Sequence, residues 1–449
     1  MLNDEQMKVV NSKDPFIFLL AGAGSGKTRV IVEKIKSLIS EGVSPHQILA
    51  ITFTRKSSHE MKERIAHPDV FVHTFHQLAF KFLKETCKLR FEIVDDHHLQ
   101  HFTREEVLAI ANYKNKLYQT RKPLAFQKYQ TFLKQHNMLD YDDLLLLCHR
   151  HLIKHPDMLS FQYIFVDEFQ DTNLLQYTLL KQLIKKDTHL LAVGDPDQSI
   201  YQFRGATPEI IDLFVKEYHA VVYQLTYNYR SDQSIIHTAN RLIERNRRTY
   251  KKKLNPMKSQ TGSVYSMSFL NDESEADGII QLIQSWTSKD IKINQVAILY
   301  RNHYRAYAVL TKLHEVSIPF CIHHDHLDDT EGVHLLTIHQ AKGLEFDVVF
   351  VIGCEQHVLP STKNNLRQSI EEERRLMFVG MTRARHFLVL THINYDAENH
   401  HFTSSIFLRE SGVKTISHVR ISDIISLGDD DGHQKTHGRV DSSDQSSKH

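Results

Sequence analysis

The sequence has few cysteines, no long apolar run and almost no net charge, and each shortage excludes a class of function. Cys87, Cys148, Cys321 and Cys354 lie far apart with no CxxC pair, so neither a zinc ribbon nor a redox couple is indicated and a reducing compartment suits them. No apolar stretch approaches the roughly 20 residues needed to cross a bilayer. The N-terminus, Met1-Leu2-Asn3-Asp4-Glu5-Gln6, lacks the charged and apolar regions of a secretory signal, which predicts a cytoplasmic protein with no membrane partner. A formal net charge of +1 leaves a polyanionic partner open, because nucleic acid responds to local basic surface and not to the total. Histidine is abundant instead, at 31 residues, and a cluster such as His323-His324-Asp325-His326 has metal-ligand chemistry, although solvated loop residues are the simpler reading.

A chain of 449 residues is too long for one ordinary core and predicts two or three domains. Phe16 to Leu20 is an apolar run followed by a glycine-rich turn, and Thr28 to Ser40 then carries apolar residues at helical spacing. Further strand-length runs at Ile48–Phe53, Tyr163–Val166 and Leu190–Val193 alternate with helical segments, the pattern of a parallel sheet wrapped by helices. Residues 85–139 read as a helical insertion without strand candidates. Beyond Phe214 a second series begins at Val221–Leu225 and continues through Val264–Phe269, Val296–Tyr300, Val333–Ile338, Val348–Ile352 and Phe387–Leu390. The expected organisation is a first α/β domain over 1–84 and 140–214, the insertion over 85–139, a second α/β domain over 215–427, and a disordered tail over 428–449 in which only Val440 is apolar.

Ala21-Gly22-Ala23-Gly24-Ser25-Gly26-Lys27-Thr28 is a phosphate loop in which Ala21 replaces the first glycine of the usual pattern. Small residues let backbone N–H groups close around phosphates, Lys27 supplies a point charge, and Thr28 offers a hydroxyl to Mg²⁺. Asp167-Glu168, after another apolar run, supplies a carboxylate for Mg²⁺ and a second carboxylate to orient and deprotonate an attacking water. In open parallel sheets ligands gather at the carboxyl ends of strands, where both motifs stand.

These motifs, with Asp167-Glu168-Phe169-Gln170-Asp171-Thr172-Asn173, Val193-Gly194-Asp195-Pro196-Asp197-Gln198-Ser199-Ile200-Tyr201 and Asn228-Tyr229-Arg230-Ser231, follow in the order seen in superfamily 1 DNA helicases of the UvrD/Rep/PcrA type. Leu2 to Gln6, Thr52-Phe53-Thr54, Thr74-Phe75-His76, Tyr141 to Leu145, Thr337 to Phe346 and Glu372 to Ala384 also resemble that family's motifs, so the resemblance spans nearly the whole chain before the tail. It implies two RecA-like motor domains and an ATP- and Mg²⁺-dependent helicase or translocase. Such an enzyme moves 3′-to-5′ along single-stranded DNA, meets duplex junctions, and works in repair or replication with accessory proteins.

Carried over position by position, the resemblance assigns Gln6 to the adenine edge, Arg29 and Tyr229 to a sandwich around the base, and Glu345 to the ribose. The loop from Ala21 to Thr28 takes the phosphates, Thr28 and Asp167 the metal, and Glu168 the water. Gln198 would sense the γ-phosphate from the first domain, and Arg230 and Arg383 would reach it from the second. Strand contacts fall to Phe53, Tyr201, Phe203 and Arg204, with Thr74, His76, Arg301, Thr337 and His339 beside them; Phe203 alone reads equally well as core. The basic run from Arg241 to Lys253 is either an extended phosphate path or an exposed helix end.

The chain departs from the family at Arg55, Ser57, Ser58, Gln202 and Phe203, and between Ile322 and Val333, where about ten residues stand in place of a long helical insertion. No nuclease-like acidic cluster follows the last motif. A degenerate motor that only binds DNA is the alternative from another class, against which the intact catalytic set argues. A motor on RNA stays open, since residues that would contact a 2′-OH cannot be picked out.

Overall fold

The computed structural model describes residues 2–288, 291–322, 331–361, 367–396 and 398–417. The His323–His326 cluster, most of the short link after Ile322 and the 428–449 tail lie outside the described residues.

The first part of the chain runs α1 (Asp4–Asn11), β1 (Phe16–Ala21), α2 (Lys27–Ser40), β2 (Ile48–Thr52), α3 (Arg55–Ile65), β3 (Phe71–Thr74) and α4 (Phe75–Lys81). An excursion follows through β4 (Glu92–Ile93), α5 (Arg104–Asn115), α6 (Phe126–Gln135) and β5 (Met138–Leu139). The chain then returns through α7 (Tyr141–Lys154), β6 (Tyr163–Val166), α8 (Leu174–Leu183), β7 (His189–Gly194), α9 (Ile210–Glu217) and β8 (Val221–Leu225). Six strands pair in parallel in the order β3-β2-β6-β7-β1-β8. Both faces are covered, as β1 shows: Ile17, Leu19 and Ala21 pack into one layer with Val30, Ile31 and Ile35 of α2, while Phe18 and Leu20 enter the other with Leu144 of α7 and Leu179 of α8.

Two expectations are corrected here. Val221–Leu225, assigned from sequence to the second domain, is the sixth strand of the first sheet, with Ile17 opposite Val221 and Ala21 opposite Leu225. Its apolar run announces a strand but not the partner; the preceding helix α9 decides it, because Ile210, Ile211 and Phe214 are anchored in the same core layer as Phe18 and deliver the chain to the open edge of β1. The insertion is also not purely helical: β4 and β5 pair and close its ends, Glu92 opposite Met138 and Ile93 opposite Leu139. Lys114 of α5 is fully buried and reaches Asp140 at 2.6 Å and Asp143 at 2.7 Å, which pins the insertion to the start of α7.

The second part contains β9 (Tyr227–Asn228), α10 (Gln233–Ile243), β10 (Asn255–Pro256), β11 (Ser263–Phe269), α11 (Asp272–Thr287), β12 (Val296–Tyr300), α12 (Tyr307–Glu315), β13 (Phe320–Ile322), β14 (Val333–Thr337), β15 (Phe346–Ile352), α13 (Arg367–Met381), β16 (Ala384–Ile393), α14 (Ile406–Ser411) and β17 (Thr415–Ser417). Seven strands pair in parallel in the order β13-β14-β12-β15-β16-β11-β17. Ala23 and Ile200 from the first unit pack into this second core beside Leu254 and Phe378, so the two units share an apolar seam at the strand ends.

Candidate nucleotide cleft and strand-binding groove

Because the first sheet is parallel, the segments after β1, β2, β3, β6 and β7 emerge on one edge, and the second unit closes over it. A cleft of about 940 Å³ lies between them, lined by Ala23 to Arg29, Asp167, Glu168, Gln198, Tyr229, Arg230, Glu345 and Arg383 among others. That volume lies at the upper end of the usual range for small-molecule sites, roughly 300–1,000 Å³.

The phosphate loop keeps glycine where geometry requires it. Gly24 and Gly26 have φ of +64° and +83°, and a Cβ on Gly26 would lie 2.7 Å from Gln6 Nε2. Ala21 ends β1 in register with Leu225, so the substituted first position needs no left-handed backbone. Gln6 lies under the loop: its Nε2 donates to Ser25 O at 3.0 Å and its Oε1 accepts from Asn3 N at 3.1 Å. Gln6, Ala21 and Gly22 do not line the cleft; the other nine residues expected to hold nucleotide do.

Lys27 Nζ donates to Glu168 Oε1 at 2.8 Å, and Thr28 Oγ1 to Asp167 Oδ2 at 3.4 Å. Glu168 stands at φ +52°, a left-handed conformation that costs an L-residue roughly 1–2 kcal/mol and swings its carboxylate back toward the loop. Burial would raise that carboxyl, but the Lys27 and Lys342 ammonium groups outweigh it and hold it well below the usual carboxylate range. Asp167, buried beside the Glu168 charge, is pushed up to about 6. The hard oxygens of Thr28 and Asp167 are the donor set Mg²⁺ prefers.

Across the seam, Arg383 is buried, donates to Val379 O at 3.0 Å, and points NH2 toward Gln198 Oε1 at 3.5 Å. Burial and the neighbouring Arg230 lower its guanidinium to about 9. Arg230 and Glu345, expected on the γ-phosphate and the ribose, pair with each other at 2.5 Å. Lys342, which sequence reasoning passed over within its own motif, contacts Asp171 and donates to Gln198 O at 2.8 Å.

On the other side of the same loop is a groove of about 1,100 Å³ lined by Phe53, Thr74, His76, Tyr141, Tyr201 and Arg204 among others. Phe53 and Tyr201 stack with centroids 5.2 Å apart and planes at 21°, while Phe203 meets the His339 ring edge-on at 5.3 Å. Arg204 lies over both Tyr201 and Phe203, at 5.5 and 5.4 Å. Phe203 is 47% exposed, which settles it as a surface ring and not core.

Three expected strand contacts are engaged in local structure. Thr74 caps α4, accepting from Gln77 N at 3.2 Å. Thr337 Oγ1 donates to Gln340 at 2.8 Å, and Arg301 forms a two-pronged pair with Glu373 at 2.9 and 3.0 Å. Phe203, Arg301, Thr337 and His339 do not line the groove; Phe203 and His339 reach it only through their contacts with Tyr201. The basic run is no continuous phosphate path either. Lys252 is buried against Asp195 and Asp197, and Arg248 reaches Asp197 at 3.2 Å, leaving Arg247, Lys251 and Lys253 exposed. Among the described residues no helix is long and apolar enough to cross a membrane, and no cluster of three or more metal-ligating side chains occurs.

Residues 2–121 and 91–219 match the UvrD/REP helicase N-terminal domain, and residues 223–327 and 322–395 match the UvrD-like helicase C-terminal domain. The chain is 32% identical to a probable DNA helicase of Mycoplasma pneumoniae over 91% of its own length and 86% of that protein's. It is 30% identical to a putative ATP-dependent DNA helicase, YjcD, of Bacillus subtilis, and 33% identical to the ATP-dependent DNA helicase PcrA of Leuconostoc citreum. Each match covers 71% of this chain but only 48% and 49% of those two relatives, so the chain spans about half their length.

Proposed function

The chain belongs to the UvrD-like superfamily 1 helicases, and from that membership we propose an ATP-dependent motor that moves 3′-to-5′ along single-stranded DNA and unwinds duplex, in repair or replication. The observation that carries the reading is the meeting of Gln198 from the first unit with Arg383 from the second inside the nucleotide cleft. Hydrolysis that needs donors from both units proceeds only with the cleft shut, and loss of the γ-phosphate lets it open.

In this mechanism Lys27 exchanges Glu168 for the β- and γ-phosphates, which frees the Glu168 carboxylate to orient and deprotonate water. Thr28 and Asp167 would hold Mg²⁺, which would supply positive charge to offset that of the phosphates. Arg29 and Tyr229, both on the cleft wall, flank the base, and Arg230 leaves Glu345 for the γ-phosphate so that Glu345 can reach the ribose. Phe53, Tyr201, Phe203 and His339 give a sequence-tolerant stacking path, with Arg204 on backbone phosphate and His76 beside it. Thr74, Thr337 and Arg301 act there through the turns and pair they stabilise. With only about ten residues between Ile322 and Val333, unwinding is weak or lacks the regulation that a large insertion imposes.

ATP turnover measured with and without mixed-sequence single-stranded DNA, and with RNA of the same sequence, tests the proposal. Turnover stimulated by DNA and much less by RNA is expected. Turnover indifferent to nucleic acid removes the motor reading.

A further inference from the structure

The two catalytic side chains at the rear of the cleft are positioned through one buried aspartate. Asp195 Oδ2 accepts from Gln198 Nε2 at 2.6 Å, and Asp195 N donates to Gln170 Oε1 at 2.9 Å. The other end of that amide, Gln170 Nε2, donates to Glu168. Gly194 makes the approach possible, because a Cβ there would lie 2.8 Å from Gln170 Oε1. Asp195 therefore sits between the γ-phosphate sensor and the water-activating carboxylate, fully buried.

What holds Asp195 comes from elsewhere in the chain. Lys252 Nζ contacts Asp195 Oδ1 and lies 2.6 Å from Asp197 Oδ2, with its side chain 2% exposed. Lys252 belongs to the segment that leaves α10 of the second unit and returns across the strand ends of the first. Tyr250 packs against Phe18 at 5.5 Å, Leu254 lies over Gly22 of the phosphate loop, and Asn255 and Pro256 pair with Tyr227 and Asn228. Asn240 of α10 anchors the segment, exchanging two hydrogen bonds with the Leu254 backbone at 2.9 and 3.1 Å.

We infer that Lys252 is a positioning residue for nucleotide hydrolysis: through Asp195 it sets Gln198, and through Gln170 it steadies Glu168, so that γ-phosphate sensing depends on this strap from the second unit. A buried ammonium between two buried carboxylates has few alternative partners, so the strap cannot shift without releasing the aspartate that orients both groups. The inference rests on the assignment of Gln198 as γ-phosphate sensor made above.

The test uses the full chain and compares affinities for ADP and a non-hydrolysable ATP analogue, together with kcat on single-stranded DNA. Lys252→Met should leave ADP affinity within about twofold while lowering both kcat and the ratio of analogue to ADP affinity by about tenfold, a typical coupling between linked sites. Lys252→Arg should recover most of the loss, which a merely structural role would not predict. On the analogue-to-ADP ratio, combining Lys252→Met with Gln198→Ala should be no worse than Gln198→Ala alone, whereas kcat should fall further because the Gln170–Glu168 limb is also released. Should Lys252→Met fail to fold, Lys252→Met with Asp197→Asn removes the charge and one buried acid together and carries the same expectation. An unchanged ratio, or effects of Lys252 and Gln198 that multiply in that ratio, overturns the inference. The ratio is read by binding, so a wild-type chain that prefers the analogue yet never turns over sinks the motor reading while this test still stands.

Discussion

The nucleotide cleft and the strand groove lie on opposite sides of one loop, with Gln198 facing the first and Tyr201 the second, yet their side chains are employed differently. In the cleft almost every group is held by an opposite charge or an amide: Lys27 by Glu168, Gln198 by Asp195, Arg230 by Glu345. In the groove the working surfaces are ring faces, and the polar residues beside them cap a helix, close a turn or form a local ion pair. A cleft built this way discriminates one ligand geometry sharply, since each charge removed leaves its partner unmatched. On the proposed reading, a groove of rings would tolerate any base and let go of it. The proposed chemistry and the proposed grip would thus follow different physics three residues apart.

The largest predicted effect breaks the cleft side of this contrast. Lys27→Ala should lower ATP turnover by about 10³-fold or more while lowering the thermal transition only modestly, since Glu168 loses its 2.8 Å partner but keeps the Lys342 ammonium nearby. Substantial residual turnover in the purified variant would remove the phosphate-loop assignment. Glu168→Gln should follow with a loss of about 10²–10⁴-fold while ATP still binds and the variant stays clamped on DNA, because only water activation is lost. ATP-driven release of DNA as fast as in wild type would count against Glu168 as the base.

Effects in the groove should be smaller and graded. Phe203→Ala should weaken single-strand affinity by about 1–3 kcal/mol and reduce the DNA-stimulated part of turnover, with the basal part nearly unchanged. A lowered melting temperature with a parallel fall in basal activity would mean that the ring supports the fold. The smallest expectation concerns histidine. Burial lowers His76 and His339 to about 4, with Arg301, Arg204 and Lys342 adding to it at His339. Groups shifted down this far stay neutral across the range where an ordinary imidazole, near 6.5, would gain charge on acidification and tighten DNA binding. A chain carrying His76→Gln and His339→Gln should therefore show the same pH dependence of DNA affinity as wild type between about pH 5.5 and 8. An acid-induced gain present only in wild type would contradict it.

The same contrast explains what the sequence made legible. Lys27, Asp167 and Glu168 sit at strand ends whose apolar runs and glycine spacing are local, so position and chemistry could be read together. The run Val221–Leu225 was read correctly as a strand and joined to the wrong sheet, because the choice of neighbour depends on where α9 is anchored. Lys252 looked like one of several surface cations, and nothing short of the tertiary structure distinguishes it from Lys251 and Lys253 on either side. Thr74 and Thr337, placed beside the strand by resemblance, each also bond the glutamine three residues on, Gln77 and Gln340, a spacing visible in the sequence, and Thr74 lines the groove as well. Lys252, whose partners stand 57 and 55 residues away in the sequence, is the residue that local spacing could not reveal.

Stopped-flow arrival times at the ends of 3′- and 5′-labelled single strands of increasing length test the central proposal most directly, that the chain couples ATP hydrolysis to 3′-to-5′ movement along single-stranded DNA. Arrival at the 5′ end should be delayed in proportion to strand length, with no such dependence at the 3′ end. DNA-stimulated ATP turnover with arrival times independent of length would show a DNA-triggered switch in place of a motor.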